Sequence, residues 1–261
     1  NILKRTERIT LVAIFIRNRS LSVIFINDGS EDESFDVIKQ LSDKNPLCRN
    51  ISLMKNYGQH NALLCGIRNA NYDVIITIDD DLQNPPEEIP KILGKLNQGY
   101  DVVYGTPTNE QHGLFRNLAS VLTKVALQTV MGVEKARKVS AFRAFRSTIR
   151  DSFQEYRGSL VSIDVLLSWG TNNFAAVEVE HHGRELGKSN YTFRKLIIHA
   201  LNLITGFSVL PLQIASLLGF IFAAFGFMVF IYVVGLFMFF GTPVQGFPFL
   251  ASIICIFSGT Q

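Results

Sequence analysis

The C-terminal part of this sequence lacks charge, because no Asp, Glu, Lys or Arg follows Lys195. That absence excludes a solvated tail, and the apolar stretch from Val209 to Phe240 is long enough to cross a bilayer with some tilt. After an uncharged turn over Gly241 to Pro248, a second apolar span starts at Phe249. Basic residues cluster before the first span and are absent from the turn. The positive-inside rule therefore predicts that the preceding domain lies in the cytoplasm, on an inner or plasma membrane.

Cysteine is scarce, and the three residues Cys48, Cys65 and Cys255 match no disulfide or metal-site spacing. Their number and spacing favour a reducing compartment. The net charge of +3 is too small to indicate a nucleic-acid partner. The chain begins at Asn1 without a methionine or a signal-peptide pattern, and it ends inside an apolar run. We therefore expect both ends to be incomplete.

Short apolar runs separated by helical patterns predict one α/β domain before the membrane segments. The predicted strands are Leu21–Ile26, Ile51–Met54, Asp73–Ile78, Tyr100–Tyr104 and Phe174–Glu180. The predicted helices cover 58–69, 87–96 and 162–170. A mixture of apolar and basic residues from Ile2 to Ile16 suits a helix, and Ser30 can cap the helix that follows the strand at Leu21–Ile26. Asp164 stands among apolar neighbours, so it is either paired or surface-facing.

The predicted strand Asp73–Ile78 leads directly into Asp79, Asp80 and Asp81, and Gln83 follows. Ligands of open α/β sheets gather at the carboxyl ends of strands, and three carboxylates there repel one another unless a positive charge lies between them. Asp79, Asp81 and Gln83 share one face of an extended segment. Their oxygens suit Mg²⁺ or Mn²⁺, with water and a ligand's phosphates completing the coordination. The alternative is an acidic turn that caps the next helix, whose start the two following prolines fix.

The pattern D-x-D-L-Q-x-P-P-E after an apolar strand resembles the nucleotide-sugar and metal site of family-2 glycosyltransferases with the Rossmann-like GT-A fold. The branch that loads sugars onto polyprenyl phosphates is the most similar, and it includes dolichol-phosphate mannose synthases, bactoprenol-phosphate glucosyltransferases and undecaprenyl-phosphate aminoarabinose transferases. Together with N-Y-G-Q-H at Asn56–His60, the pattern resembles the aminoarabinose transferases in particular. The resemblance implies a GT-A catalytic domain over 1–191, an interfacial helix over 192–207 and a transmembrane hairpin over 208–261.

Two segments resemble the family's donor-binding elements. Asp28 matches an aspartate that contacts the nucleotide base, although Asn27 replaces the first acid of the family's D-D-G-S. The alternative for Asp28 is an Asx turn that serves only the chain reversal. Arg184 and Lys188 lie in a segment that resembles R-x-x-G-x-S-K-Y, with Asn190 in place of the lysine. The resemblance implies that they contact the donor diphosphate, where positive charge stabilises the charge that develops.

The resemblance also assigns acceptor and catalytic roles. Arg116 and Ser120 have the spacing of the family's arginine and serine for the acceptor phosphate, and residues at i and i+4 share one helix face. Asp79 and Asp80 are implied to bind the donor. Asp81 is implied to be catalytic through the metal, together with Arg116, Ser120 and Arg184. The family's earlier strand, which ends in P-x-Y-N-E, has no match, so we expect it upstream of the chain.

Apolar residues recur at helical spacing from Thr192 to Ile204, which predicts an amphipathic helix able to lie in a membrane interface. The resemblance implies an inverting transfer of sugar from a nucleotide-sugar to a polyprenyl phosphate such as undecaprenyl phosphate. A uridine donor is expected rather than a guanosine donor, by analogy to bacterial relatives. Relatives that assemble as tetramers imply a homo-oligomer.

Two alternatives remain open at the level of sequence. A processive family-2 polysaccharide synthase also joins a GT-A domain to membrane helices, but such enzymes carry Q-x-x-R-W, and Trp169, the only tryptophan, lacks that context. A catalytically inactive domain that binds nucleotide or lipid as an assembly platform is the second. The intact set of Asp79, Asp81 and Gln83 argues against it.

Overall fold

The computed structural model describes most of the predicted domain and the first apolar span. The described residues are 9–17, 20–79, 83–107, 139–182, 198, 201–202, 204–241, 246, 249–250, 253–254 and 257. The chain separates into two compact units, Asn1–Phe207 and Ser208–Gln261.

The first unit contains a mixed sheet with seven described strands in the order β3-β2-β1-β4-β6-β5-β7. The strands are β1 Ile9–Arg17, β2 Ser20–Asn27, β3 Cys48–Ser52, β4 Val74–Ile78, β5 Val102–Pro107, β6 Arg143–Arg146 and β7 Phe174–Val179. The β2–β3 and β5–β7 pairs are parallel. The other four pairs are antiparallel. The α/β class predicted from the sequence is therefore confirmed, with a mixed sheet.

Four α-helices of this unit are described over their full length. They are α1 Ser34–Lys44, α2 Gln59–Arg68, α3 Ile89–Leu96 and α4 Ile163–Gly170. Short 3₁₀ segments occur at Pro86–Glu88 and Ser147–Ser152. The predicted helices are confirmed, with ends that differ by one or two residues. The predicted strands are confirmed as well, but β3 starts three residues earlier and β5 starts two residues later than predicted.

The prediction of a helix over Ile2 to Ile16 was wrong from Ile9 onward, because Ile9–Arg17 forms strand β1, and residues 2–8 lie outside the described part. Its run of Ile, Val, Thr and Phe favours extended backbone. β1 also has a partner strand on each side, since Val12 lies opposite Phe25 of β2 and opposite Ile78 of β4. The hydrogen bonds of two neighbouring strands decide the conformation of a segment whose own pattern was ambiguous. Strand β6, at Arg143–Arg146, was not predicted.

The core has one layer on each face of the sheet. Ile75 of β4 packs in the cluster that includes α2 and α4, whereas Ile76 packs in the cluster that includes α3. Side chains alternate along a strand, so Thr77 returns to the face of α2 and α4. Tyr104 and Phe145 lie on that same face. The helices α2 and α4 therefore cover the face on which β4 ends next to Asp79.

The second unit contains one long helix, α5, at Leu210–Phe240. Its segment Leu210–Phe239 is long and apolar enough to cross a membrane, and among the described residues it alone is. The first predicted span is thus a helix of suitable length. The second predicted span is helical at Phe249–Leu250 and again at 253–254 and 257, and its other residues lie outside the described part.

Candidate active site

The turn after β2 holds Asp28 in a fixed place. The Asn27 side-chain oxygen accepts hydrogen bonds from the Ser30 backbone N–H at 3.0 Å and from its hydroxyl at 2.5 Å. Ser30 does not cap α1, because this helix starts only at Ser34 and Glu33 occupies its N-cap position. Gly29 has φ +68°, and a Cβ there would lie 2.5 Å from the carbonyl carbon of Lys55. Only glycine fits this close approach of two loops.

Asp28 joins this turn to the start of α2. Its two carboxylate oxygens accept the backbone N–H groups of Tyr57 and Gly58, each at 2.8 Å. Gly58, with φ +90°, is the N-cap of α2. The first helical residue, Gln59, donates its side-chain N–H to Asp79 at 2.7 Å. A continuous set of bonds thus runs from β2 to β4 across the end of β1, which separates these two strands in the sheet.

Asp79 supplies a half-buried carboxylate at the carboxyl end of β4. Gln59 donates to one of its oxygens, Oδ1, and a carboxylate has about four acceptor positions. The Asp79 oxygens and the side-chain amide oxygen of Gln83 are of the kind that Mg²⁺ and Mn²⁺ prefer. Within the described part of the chain no three His, Cys, Asp or Glu side chains cluster for a metal. The oxygen chemistry of Asp79 and Gln83 therefore suits a divalent cation, whereas Asp80 and Asp81 lie outside the described residues.

The segment after β7 is bonded along the segment that contains Gln83. The backbone N–H of His182 donates to the Gln83 carbonyl at 2.9 Å. The His181 ring lies 3.4 Å from the amide oxygen of Asn84, and the Glu180 N–H donates to Glu88 at 3.2 Å. These three contacts place residues 180–182 beside residues 83–88.

Glu88 is almost fully buried and is paired with a cation. Both of its carboxylate oxygens contact the Lys91 ammonium, at 2.6 and 2.8 Å. The hydrogen bond from Lys91 is the main reason that the pKa of Glu88 is lowered, and the Glu180 N–H adds to the effect. Glu88 stays ionised and anchors Glu180, the residue after β7, to the start of the helix that begins at Ile89.

A buried ionic network lies between the sheet and α4. Arg143 of β6 and Tyr104 of β5 both bond to Oδ1 of Asp164, the tyrosine at 3.0 Å. All three residues are at least 95 % buried. Burial lowers the pKa of Arg143, but the Asp164 carboxylate and, more weakly, that of Asp79 raise it above its ordinary value. Burial and the same aspartate raise the pKa of Tyr104 well above its ordinary value. Asp164 is therefore paired, one of the two arrangements that the sequence allowed.

The sequence profile of Glycosyl transferase family 2 matches residues 12–157, which include both Asp28 and Asp79. The chain belongs to glycosyl transferase family 2. This family-2 chain is 35% identical over 255 residues to an undecaprenyl-phosphate 4-deoxy-4-formamido-L-arabinose transferase of Pectobacterium atrosepticum, covering 97% of this chain and 78% of the relative. A transferase of the same name from Pseudomonas savastanoi pv. phaseolicola is 34% identical over 264 residues, covering 100% and 77%.

Among solved structures, this family-2 chain is similar to glucosyl-3-phosphoglycerate synthase from Mycobacterium tuberculosis in complex with phosphoglyceric acid. The identity is 19% and the TM-score 0.47, over 70% of this chain and 68% of that one. Residues 1–349 of S. aureus TarS give 12% identity and a TM-score of 0.42, over 72% and 63%. TM-scores below 0.5 are too low to infer shared ligands.

The family-2 site residues predicted from the sequence fall into two groups. Asp28, Asp79 and Gln83 are described, and the α2 N-terminus connects the first two. Those outside the described residues are Asp80, Asp81, Arg116, Ser120, Arg184 and Lys188. The ring of His60 accepts the Ile163 N–H at 3.3 Å and so joins the start of α2 to the start of α4.

Sequence reasoning missed three groups of this family-2 site. Gln59 was noted only as part of the N-Y-G-Q-H pattern, although its position one residue after Gly58 placed it at the start of a predicted helix. Glu88 was given no role. Arg143 had no predicted partner. Its pairing with Asp164 could have been inferred only from the general need of a buried charge for an opposite charge.

Proposed function

We propose that this protein transfers a sugar from a nucleotide-sugar to a polyprenyl phosphate, with undecaprenyl phosphate as the acceptor, at the cytoplasmic face of a membrane. The reaction inverts the anomeric carbon because the acceptor phosphate displaces the nucleoside diphosphate directly. Family membership supports the glycosyl transfer. Two relatives at 34–35% identity, both named undecaprenyl-phosphate transferases, support the acceptor. A uridine donor is proposed over a guanosine donor.

The observation that carries the proposal is the connection from Asp28 through the α2 N-terminus to Asp79. It fixes two acids at the ends of β2 and β4, with one strand, β1, between them. Adjacent strands are about 4.8 Å apart, so these two strand ends lie about 10 Å apart. That separation suits a ligand with a base at one end and a diphosphate at the other. Asp28 fixes the Tyr57–Gly58 loop at the base end, and Asp79 faces the diphosphate end.

Asp79, Asp81 and Gln83 are the residues that would hold Mg²⁺ or Mn²⁺, and Asp80 belongs to the same donor-binding segment. A bound divalent cation would stabilise charge on the leaving diphosphate. Gln59 keeps the Asp79 carboxylate in one orientation, which lowers the cost of ordering it when the donor arrives.

Arg184 and Lys188 are proposed to bind the donor diphosphate and to offset the charge that grows on it. Their segment starts at His182, whose N–H is bonded to Gln83. Arg184 is only two positions after this anchor in the sequence, and the anchor is bonded to a residue of the proposed cation site. This is why we place the two basic residues on the donor and not on the lipid.

Arg116 and Ser120 are proposed to hold the acceptor phosphate, the arginine through its fork of N–H donors and the serine through its hydroxyl. The acceptor phosphate is already anionic at neutral pH. Positioning can therefore replace proton removal, and no general base is needed for attack.

The membrane arrangement follows from the acceptor. We propose a catalytic domain over 1–191, an interfacial helix over 192–207 and a membrane hairpin over 208–261, because a soluble donor must meet the head of a lipid. Helix α5 would be the first membrane helix of that hairpin. A homo-oligomer, a tetramer by analogy, is part of the proposal.

The test is incubation of the full chain in detergent with undecaprenyl phosphate, Mg²⁺ or Mn²⁺ and a panel of UDP- and GDP-sugars. The measurements are release of nucleoside diphosphate and the mass of the lipid product. We expect one donor to give a lipid phosphate that carries a single sugar. Asp81→Ala should abolish the product, whereas Asp43→Ala, which changes an exposed acid of α1, should leave it unchanged.

Each other result contradicts the proposal in a different way. Nucleotide release with a polymeric product would indicate a processive synthase. Cation-dependent binding of UDP without turnover of any donor would indicate a binding platform. A product that Asp81→Ala leaves unchanged would remove the metal assignment.

A further inference from the structure

Three aromatic side chains cluster on the surface of the first unit, away from the candidate active site. The Tyr156 ring lies edge to face with Trp169, with 5.4 Å between the ring centroids. The Phe207 ring lies 6.2 Å from Tyr156 and 6.3 Å from Trp169. Trp169 nevertheless remains 50% exposed. A tryptophan in this position suits a partner with both apolar and polar groups, because its ring is apolar and its N–H is a donor.

Hydrogen bonds and close packing hold this aromatic cluster in place. The Tyr156 hydroxyl donates to the Leu160 carbonyl at 2.6 Å, and the Arg68 guanidinium donates to the Tyr156 carbonyl. A Cβ at Gly206 would lie 2.7 Å from Cδ1 of Leu160, so the helical residues 204–207 pack closely against this loop. The aromatic cluster is therefore a fixed feature of the surface.

Helix α2 measures the distance between the aromatic cluster and the candidate active site. Gln59 at its start donates to Asp79, and Arg68 at its end donates to Tyr156. A helix of ten residues is about 15 Å long. The aromatic cluster is thus a separate surface, about 15 Å from the strand end at which the sugar transfer is proposed.

The chain that follows the aromatic cluster indicates what lies against it. Only Ser208 and Val209 separate Phe207 from the apolar helix α5, which starts at Leu210. Three residues of extended chain span at most about 11 Å. If α5 enters a membrane at its first turn, Phe207 lies within that distance of a headgroup layer that is about 5–8 Å deep. Tryptophan and tyrosine are enriched in this layer.

Two further observations favour a lipid surface. Leu201 is 54% exposed, and its place on the helix is about 120° around from Phe207, away from the contact with the aromatic cluster. Beside the cluster lie Arg68 and the exposed pair of Arg157 with Glu155, 3.7 Å apart. Such an exposed pair is weak, and the three charges sum to a positive value that suits the phosphates of lipid headgroups.

We propose that the aromatic cluster of Tyr156, Trp169 and Phe207 lies against a lipid bilayer, with Trp169 at the level of the headgroups. This contact of the catalytic domain with the membrane is separate from the site that binds the acceptor. The domain then lies lengthwise on the bilayer, with its Asp79 end and its Trp169 end both near the lipid. The inference rests on the proposed function, because that proposal places α5 in a membrane.

The test uses the fluorescence of Trp169, the only tryptophan of the chain, so the unaltered protein reports on this surface. The full chain is placed in liposomes of phosphatidylcholine and phosphatidylglycerol. The lipids carry either a nitroxide on the headgroup or bromine near the end of the acyl chain. We expect the headgroup label to quench Trp169 about twofold or more, and the acyl-chain label to quench it less. Flotation of the liposomes shows whether the protein is bound to them.

A relocated tryptophan separates membrane contact from general exposure. Leu47→Trp in a Trp169→Phe background places the fluorophore at a side chain that is equally exposed, at 49%, next to β3. The end of α4 lies beside β5, where Thr171 donates to Asp101 at 2.7 Å. In the order β3-β2-β1-β4-β6-β5, five strand spacings of about 4.8 Å separate β3 from β5, or about 24 Å. The headgroup label should therefore quench the relocated tryptophan little.

Phe207→Ala tests the joint between the aromatic cluster and the chain that leads to α5. Without this ring the cluster loses its contact with residues 204–207, so quenching of Trp169 should fall toward that of the relocated tryptophan. Phe239→Ala is the matched control, because it changes a phenylalanine of α5 that is 84% exposed, and it should leave the quenching unchanged.

Three results would overturn the inference. If Trp169 is quenched no more than the relocated tryptophan, its surface faces water or a second copy of the chain. Stronger quenching by the acyl-chain label would place Trp169 in the hydrocarbon layer. Unchanged quenching in Phe207→Ala would remove the aromatic cluster as its cause. In each case, formation of the sugar-lipid in the same liposomes leaves the proposed function standing. If the chain does not float with the liposomes, the proposed membrane arrangement fails together with the inference.

Discussion

Replacing Gly29 by alanine should disturb the site at its base end without touching any charged group. At φ +68° a residue with a Cβ loses about 1–2 kcal/mol relative to glycine. The new Cβ would also lie 2.5 Å from the carbonyl carbon of Lys55 and 2.6 Å from the nitrogen of Asn56. Both atoms belong to the backbone, so the clash can be relieved only if the loop at Lys55–Asn56 moves. Overpacking of this kind adds about 1–3 kcal/mol.

The sum predicts a loss of about 2–5 kcal/mol in the free energy of unfolding, which for a domain of this size lowers the melting temperature by about 4–20 °C. The same shift would pull the Tyr57 and Gly58 N–H groups away from Asp28, so UDP should bind more weakly as well. Thermal denaturation in detergent and titration with UDP measure the two effects.

The control is Gly94→Ala, in the exposed interior of α3, where an added Cβ meets no atom within 4 Å. Alanine there should raise stability by up to about 1 kcal/mol through helix propensity. The reasoning fails if Gly29→Ala has the same melting temperature as the unaltered protein. It also fails if the melting temperature falls and UDP binding stays the same, since Asp28 would then have no link to the nucleotide.

Two further predictions concern single side chains. Gln59→Leu should weaken Mn²⁺-dependent binding of UDP about tenfold, because Asp79 loses a charge-assisted hydrogen bond. The control Gln98→Leu, which changes an exposed glutamine, should leave this binding unchanged. Calorimetric titration compares the two variants, and equal affinities would contradict the role of Gln59. Glu88→Gln should lower stability at neutral pH. Because pairing with Lys91 lowers the folded-state pKa of Glu88, its contribution is full above the ordinary glutamate pKa and is lost as the pH falls through the lowered value. Urea unfolding at several pH values should show the two proteins converging in acid, and a constant difference would refute the ion-pair explanation.

The strongest sequence patterns predicted their elements well. The β-branched run at Val74–Ile78 indicated a strand, which β4 confirms, and the ligand expected at the acids after it stays a prediction. Local signals sufficed there because the strand is buried on both faces, so every residue of it is apolar or β-branched. The apolar stretch that became α5 was equally clear.

The elements that sequence reasoning missed depend on partners far along the chain. Ile9–Arg17 forms a strand because it pairs with β2 on one side and β4 on the other. Its own residues do not indicate that these partner strands lie beside it. Arg143 is followed 21 residues later by the aspartate that neutralises it. Gln59 reaches Asp79 only because α2 crosses the end of β1. Contacts of this kind follow from the order of the strands in the sheet. The periodicity of apolar residues along the sequence does not reveal that order.

The backbone contact between Gln83 and His182 joins segments that are about a hundred residues apart in the chain. Whatever orders one of them removes conformational freedom from the other in advance. If the proposed cation and diphosphate sites lie on these two segments, binding at one should raise the affinity at the other, and such coupling is reciprocal. The cation would then raise the affinity for the diphosphate by the same factor that the diphosphate raises the affinity for the cation. On the proposed function, cation and donor would therefore bind cooperatively.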